Sequence, residues 1–241
     1  MARKKTAVKL EEIAEAAIAC FSEMGIRRTQ MADVAKAAGV SAGTLYLYVA
    51  SKEALLHLAI LQVCARPRAG LTLPLQDPGI GATVDIFAIR VKEVRRWPSF
   101  DAALAPGAEV DMNVLRAIGG ELYGMLHEAR RAIWLVDRCA REVPAFEQLH
   151  ALDLRARHRD RLAEIALKFA GGSGAPTPEQ KLAARLAIET VAWAAMHRLR
   201  ETATNAIAEL TADGARQTAV ESFAVILATA SRPPGPMRPD A

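Results

Sequence analysis

Apolar residues recur along this chain with the period of a helix. Leu10, Ile13, Ala14, Ala17, Ile18, Phe21 and Met24 follow the i, i+3, i+4, i+7 spacing of one apolar stripe, and Gly25 then supplies a left-handed stop. A short second helix is predicted with Met31, Val34, Ala35 and Ala38 facing inward. Gly39 permits the positive φ of a sharp turn, with Val40 plugging it from beneath. Ser41 caps a third helix, where Leu45 and Val49 form a buried pair at i, i+4. Ser51 caps a fourth, whose Leu55, Leu56, Ala59 and Val63 run to about Arg66 before Pro67 ends it.

Residues 67–79 contain three prolines and two glycines, the composition of a loop and a domain boundary. Helical segments are then predicted from Ile80 to Trp97, Met112 to about Glu142, and Pro144 to Ala170. Two more run from Pro178 to about Thr202, with Thr177 as cap, and from Gly214 to Ala230. Gly171, Gly172, Ser173 and Gly174 form a flexible connection. No internal repeat and no period-2 strand pattern is visible. The expected fold is all-α: a small helix-turn-helix head over residues 9–66 and a larger helical body over 67–231. Residues 1–8 read as a basic disordered arm, and the proline-rich residues 232–241 as a disordered tail.

Composition adds bounds. Of the 241 residues, 51% are hydrophobic and 24% charged, which suits a globular chain with a sizeable core. Aromatics at 5% amid abundant alanine favour helix over strand. A net charge of only +4 means that any nucleic-acid site must come from local clustering. The three cysteines, Cys20, Cys64 and Cys139, have no ligand-like spacing and read as buried thiols in a reducing cytoplasm. No window is long and apolar enough for a membrane span, so a soluble cytoplasmic protein is expected.

The chemistry concentrates between residues 29 and 53. A helix-turn-helix lays its second helix in the major groove, which requires a glycine in the turn and small residues near that helix's start. Ser41, Ala42, Gly43 and Thr44 meet this demand, and their backbone amides and hydroxyls suit phosphate oxygens. Tyr46 and Tyr48 add hydroxyls beside Leu47, and Lys52 adds a charge at the edge of the footprint. Arg3, Lys4 and Lys5 precede the first helix, where they would reach along the DNA backbone.

These residues resemble the amino-terminal DNA-binding domain of the TetR family of bacterial transcriptional repressors. The resemblance covers about residues 8–60. It rests on Val34-Ala35, Ala38-Gly39-Val40-Ser41, Gly43-Thr44-Leu45-Tyr46, Tyr48, Ser51-Lys52-Glu53 and Leu55. It implies a homodimer that binds near-palindromic operator DNA and releases it when a small-molecule effector enters the helical body. It also implies that Ala42, Gly43 and Thr44 meet bases while Tyr46, Tyr48 and Lys52 hold phosphates. Three positions depart from the family pattern. Val49 replaces the usual Phe, Gln30 the usual capping hydroxyl of helix two, and Met31 a hydroxyl that often holds phosphate. Asp33 keeps half of a capping box, and Thr29 is an alternative cap.

The body offers weaker signals. Trp97, Phe100, Met112, Tyr123, Met125 and Trp134 either line an effector cavity or fill the core, as does Phe87. Ala184, Ile188, Val191 and Ala195, with Val220, Phe223, Ala224 and Leu227, either pack within one chain or build a four-helix dimer interface. His150 and Asp153 share a helix face and carry an enzyme reading. Arg155, Arg157, Arg159 and Arg161 around them would repel a divalent ion. No nucleophile motif, phosphate loop or paired acid/base carboxylates appear, so neither catalysis nor a metal or cofactor is expected. The functional expectation is a ligand-responsive repressor, with a constitutive DNA-binding protein as the alternative.

Overall fold

The computed structural model describes residues 2–67, 70–149, 156–201, 207 and 209–230, with side chains described from residue 9 onward. Among these residues the regular structure is helical, apart from an isolated bridge between Val49 and Leu75. The elements are α1 (Ala2–Met24), α2 (Met31–Ala37), α3 (Ala42–Tyr46), α4 (Lys52–Val63), α5 (Ile80–Val94), α6 (Pro98–Ala103), α7 (Met112–Ala140), α8 (Pro144–Glu147), α9 (Ala156–Phe169), α10 (Pro178–Ala195) and α11 (Ala212–Ala230). No helix among the described residues is long and apolar enough to cross a membrane.

The chain packs as two compact units, Met1–Val94 with Arg131–Asp153, and Arg95–Arg130 with Leu154–Ala241. In the first, the predicted stripe of α1 is buried: Ile13, Ala14, Ala17 and Phe21 are fully covered, against Leu55, Leu58 and Ala59 of α4 in one core. Burial of this kind, roughly 25 cal/mol per Å² of apolar surface, is the main term holding short helices such as α2 and α3 in place. The loop after α4 belongs to the same core. Leu75 is buried in it, Leu71 and Leu73 lie against it, and Phe87 of α5 meets Phe146 edge-on with ring centroids 6.1 Å apart. Packing therefore divides the chain elsewhere than at residues 66 and 67, because prolines mark where a chain turns, not what it turns onto.

His57 of α4 is buried with Nδ1 2.9 Å from Thr83 Oγ1 of α5, which ties the two helices together. Desolvation lowers its pKa, and Asp77 opposes the shift. The ring is therefore the neutral partner in that bond at neutral pH.

In the second unit, α10 and α11 pack along each other and on α9. Thr177 and Gln180 form a capping box at the start of α10, as expected of that threonine. Helix α10 stops at Ala195 and gives way to a 3-10 turn, His197–Arg200, short of the predicted end near Thr202. Helix α5 likewise stops at Val94, because Trp97 precedes Pro98 and such a residue is pushed out of the helical region. Trp97 instead stacks on Phe100 at 4.0 Å and donates its indole N–H to the Ile118 carbonyl at 2.9 Å.

The amino terminus corrects one expectation. The backbone of residues 2–8 is helical and continuous with α1, where a disordered arm was expected. Ala, Arg and Lys are good helix formers, and extending an existing helix carries no nucleation cost. His150, Asp153 and the tail at 232–241 lie outside the described residues.

Candidate nucleic-acid interface

The interface is built on α1 to α4. The turn between α2 and α3 closes as predicted. Gly39 has φ +63°, its amide donates to the Lys36 carbonyl at 3.1 Å, and Val40 donates to Ala35 at 2.9 Å. That pair of bonds is the Schellman closure of a helix end. Lys9 of α1 reinforces it by donating to the Ala38 carbonyl at 3.1 Å, a role that no local pattern announced. Leu45 and Val49 are fully buried, so α3 sits on the core by the expected pair and turns its other face outward.

On that outward face Ala42, Gly43, Tyr46 and Leu47 are exposed, with Tyr46 at 49% and Leu47 at 68%. Ser41 caps α3: its Oγ accepts from the Thr44 amide at 3.0 Å and lies 2.8 Å from Thr44 Oγ1. Both hydroxyls are thus engaged with each other. Tyr48 is half-buried against the core. Lys52, at the start of α4, donates to the Thr29 carbonyl at 3.3 Å, so part of its hydrogen-bonding capacity braces the α1–α2 loop. The side chains of Arg3, Lys4 and Lys5 lie outside the described ones.

Helix α2 is held by half of the predicted capping box, the Asp33 carboxylate accepting from the Gln30 amide at 2.8 Å. Thr29 does not cap it. Thr29 is fully buried and donates its hydroxyl back to Gly25 O at 2.7 Å, closing α1. Met31 packs partly buried against the core, and its thioether offers no hydroxyl to a phosphate.

Residues 8–59 match the family model described as bacterial regulatory proteins of the TetR family. The head belongs to the TetR family. The same stretch of this TetR-type head is 45% identical over 53 residues to an uncharacterised HTH-type transcriptional regulator, YvdT, of Bacillus subtilis strain 168. That match covers 22% of this chain and 27% of the relative, so it speaks for the TetR-type head alone. Two solved structures are similar over nearly the whole chain. One is a TetR-family transcriptional regulator of Mesorhizobium loti, at 20% identity and TM-score 0.44, covering 92% of this chain and 96% of that one. The other is a TetR-like regulator of Rhodococcus sp. RHA1, at 22% identity and TM-score 0.43, covering 91% and 94%.

The remaining predicted sites fall as follows. Trp97, Phe100 and Tyr123 are buried, while Met112, Met125 and Trp134 are partly buried. A cavity of about 250 Å³ in the first unit is lined by Ile26, Arg27, Glu53, Leu56 and neighbours. A shallower one of about 510 Å³ in the second is lined by Ser99, Ala103, Asp111, Val114 and neighbours. Neither is lined by any of the six predicted residues. Of the eight predicted dimer residues, Ala184, Val191, Ala195, Phe223, Ala224 and Leu227 are buried within their own chain, and Ile188 and Val220 are partly so. These small-plus-large faces mate α10 with α11. The apolar residues left outside are Leu182, Leu186 and Trp193 on α10 and Val225 on α11, which periodicity alone could not separate from the buried set.

Proposed function

We propose that the chain is a ligand-responsive transcriptional repressor that binds a near-palindromic operator as a homodimer and leaves it when a small molecule binds the helical body. The observation that carries the reading is the α3 face. A TetR-type helix, seated by Leu45 and Val49, presents Ala42, Gly43, Tyr46 and Leu47 to solvent, the arrangement that a major-groove reader requires. Tyr48 and Lys52 flank it as phosphate contacts. The exposed Leu182, Leu186, Trp193 and Val225 support a paired assembly, because a two-fold dimer reads two half-sites and needs an apolar face of its own.

Selection of bound duplexes from a random pool supplies the operator. On that duplex, Tyr48→Phe and Lys52→Gln together weaken binding severalfold. Loss of the lysine contact from both protomers reduces the slope of log affinity against log salt by about 2. Unchanged affinity and slope would remove both residues from the interface. A thermal-shift screen of small molecules, followed by operator release, separates the sensor from a constitutive binder.

A further inference from the structure

The outward face of α3 carries no charge and no amide. From Ser41 to Tyr48 the chain offers only hydroxyl, methyl, glycine, leucine and tyrosine groups. Arginine or lysine on guanine, and asparagine or glutamine on adenine, are the usual hydrogen-bonding base readers, and α3 has none of them. The short hydroxyls of Ser41 and Thr44 bond to each other across 2.8 Å, which spends one of their two donors. What projects furthest is apolar: Leu47 is 68% exposed, the highest value among the exposed large apolar side chains. A side chain that only packed would lie with Leu45, which is fully covered two residues earlier.

The major groove has one apolar feature that distinguishes bases, the 5-methyl group of thymine. We infer that Leu47 determines operator specificity by packing on a thymine methyl, so that each half-site carries a T·A pair under this residue. The inference rests on the DNA-reading function proposed above and names the chemistry of the sequence read. Gly43 lies about one helical turn before Leu47. Gly43 carries no side chain, and a Cβ there would meet only Ser41 Oγ, at 3.9 Å, so the protein itself does not require a glycine at this position. Exposure of Leu47 makes its replacement safe for folding.

The test uses the full chain and the duplex enriched from a random pool. Each dT is replaced in turn by dU, which keeps every pairing hydrogen bond and removes only the methyl. The expected result is one position per half-site at which dU weakens binding about fourfold, the worth of one buried methyl, and more than tenfold when both half-sites are changed. Leu47→Ala should still bind that duplex but no longer distinguish dT from dU at that position. If no position distinguishes dT from dU, or if the difference survives in Leu47→Ala, the inference is overturned while the operator reading stands. A pool that yields no enriched duplex overturns the operator reading itself, and the inference with it.

Discussion

The amide of Leu75 donates to the carbonyl of Tyr48 at 2.8 Å, and the Leu75 carbonyl accepts from the Ala50 amide at 2.9 Å. A residue of the proline-rich loop is thereby stitched to the turn that ends α3. Its side chain is buried in the same core as Val49. The orientation of Tyr46, Leu47 and Tyr48 thus depends on a segment some 25 residues further on.

Leu75→Ala removes the buried side chain and leaves both backbone bonds possible. A loss of about 2 kcal/mol in urea unfolding is expected, at the lower end for buried leucines because the site lies at the edge of the core. A loss under about 0.5 kcal/mol would make the loop a bystander to the head.

Thr29 closes α1 from inside, with no exposed surface and its hydroxyl 2.7 Å from the Gly25 carbonyl. Thr29→Val keeps the shape and removes that bond, leaving the Gly25 carbonyl the longer 3.3 Å bond from the Thr29 amide. About 1–2 kcal/mol should be lost, while Thr29→Ser, which keeps the hydroxyl, should retain the bond. Denaturant midpoints rank the two; a loss in Thr29→Ser with none in Thr29→Val would show that the methyl, not the hydroxyl, matters.

His158 packs edge-on to Trp97 and Phe100, with ring centroids at 5.3 and 6.0 Å. Burial first and Arg95 second push its pKa from 6.5 down to about 4, against the opposing pull of Asp101. A base depressed by folding binds its proton more readily in the unfolded chain. Its contribution is therefore full above pH 6.5 and is lost as pH falls from there towards about 4. About 2 kcal/mol is at stake once partial access of solvent to the ring is discounted. Urea titrations at pH 7 and pH 4.5 should show a smaller pH-dependent loss for His158→Phe than for the natural chain; identical losses would acquit the histidine.

Cys139 is fully buried, and burial pushes its thiol up to about 12; Cys64 rises to about 11 for the same reason, and Cys20 is raised too. Reaction requires the thiolate. The native protein at pH 8 should give almost no rapid reaction with an aromatic disulfide reagent, and three thiols after unfolding. A fast native thiol would show that one of the three is reached by solvent in the folded chain.

What was legible in the sequence was local. Gly39, Ser41, Ser51, Thr177 and the Leu45–Val49 pair act over one helical turn, and their spacing alone places them. The apolar stripe of α1 was equally plain. Contacts between distant segments were not. Nothing near Thr29 says that its hydroxyl turns backward to Gly25, and nothing near Leu75 says that it lies under Val49. The faces of α10 and α11 show the limit most clearly. Val191 and Trp193 are two residues apart, one fully covered and one 39% exposed, and only the packing of one helix on the other decides which is which.

The Leu75 stitch also sets how this reader is transplanted. A graft cut at residue 66 would carry α3 into a new host without the strand-like partner for Tyr48 and Ala50, and without Phe87, Val136 and Cys139 in the core beneath. Its exposed α3 side chains would be present but poorly aimed. The smallest portable module is two stretches of chain, one running through α5 and one taken from the end of α7. A chimera that respects both should keep its operator preference in a foreign sensor.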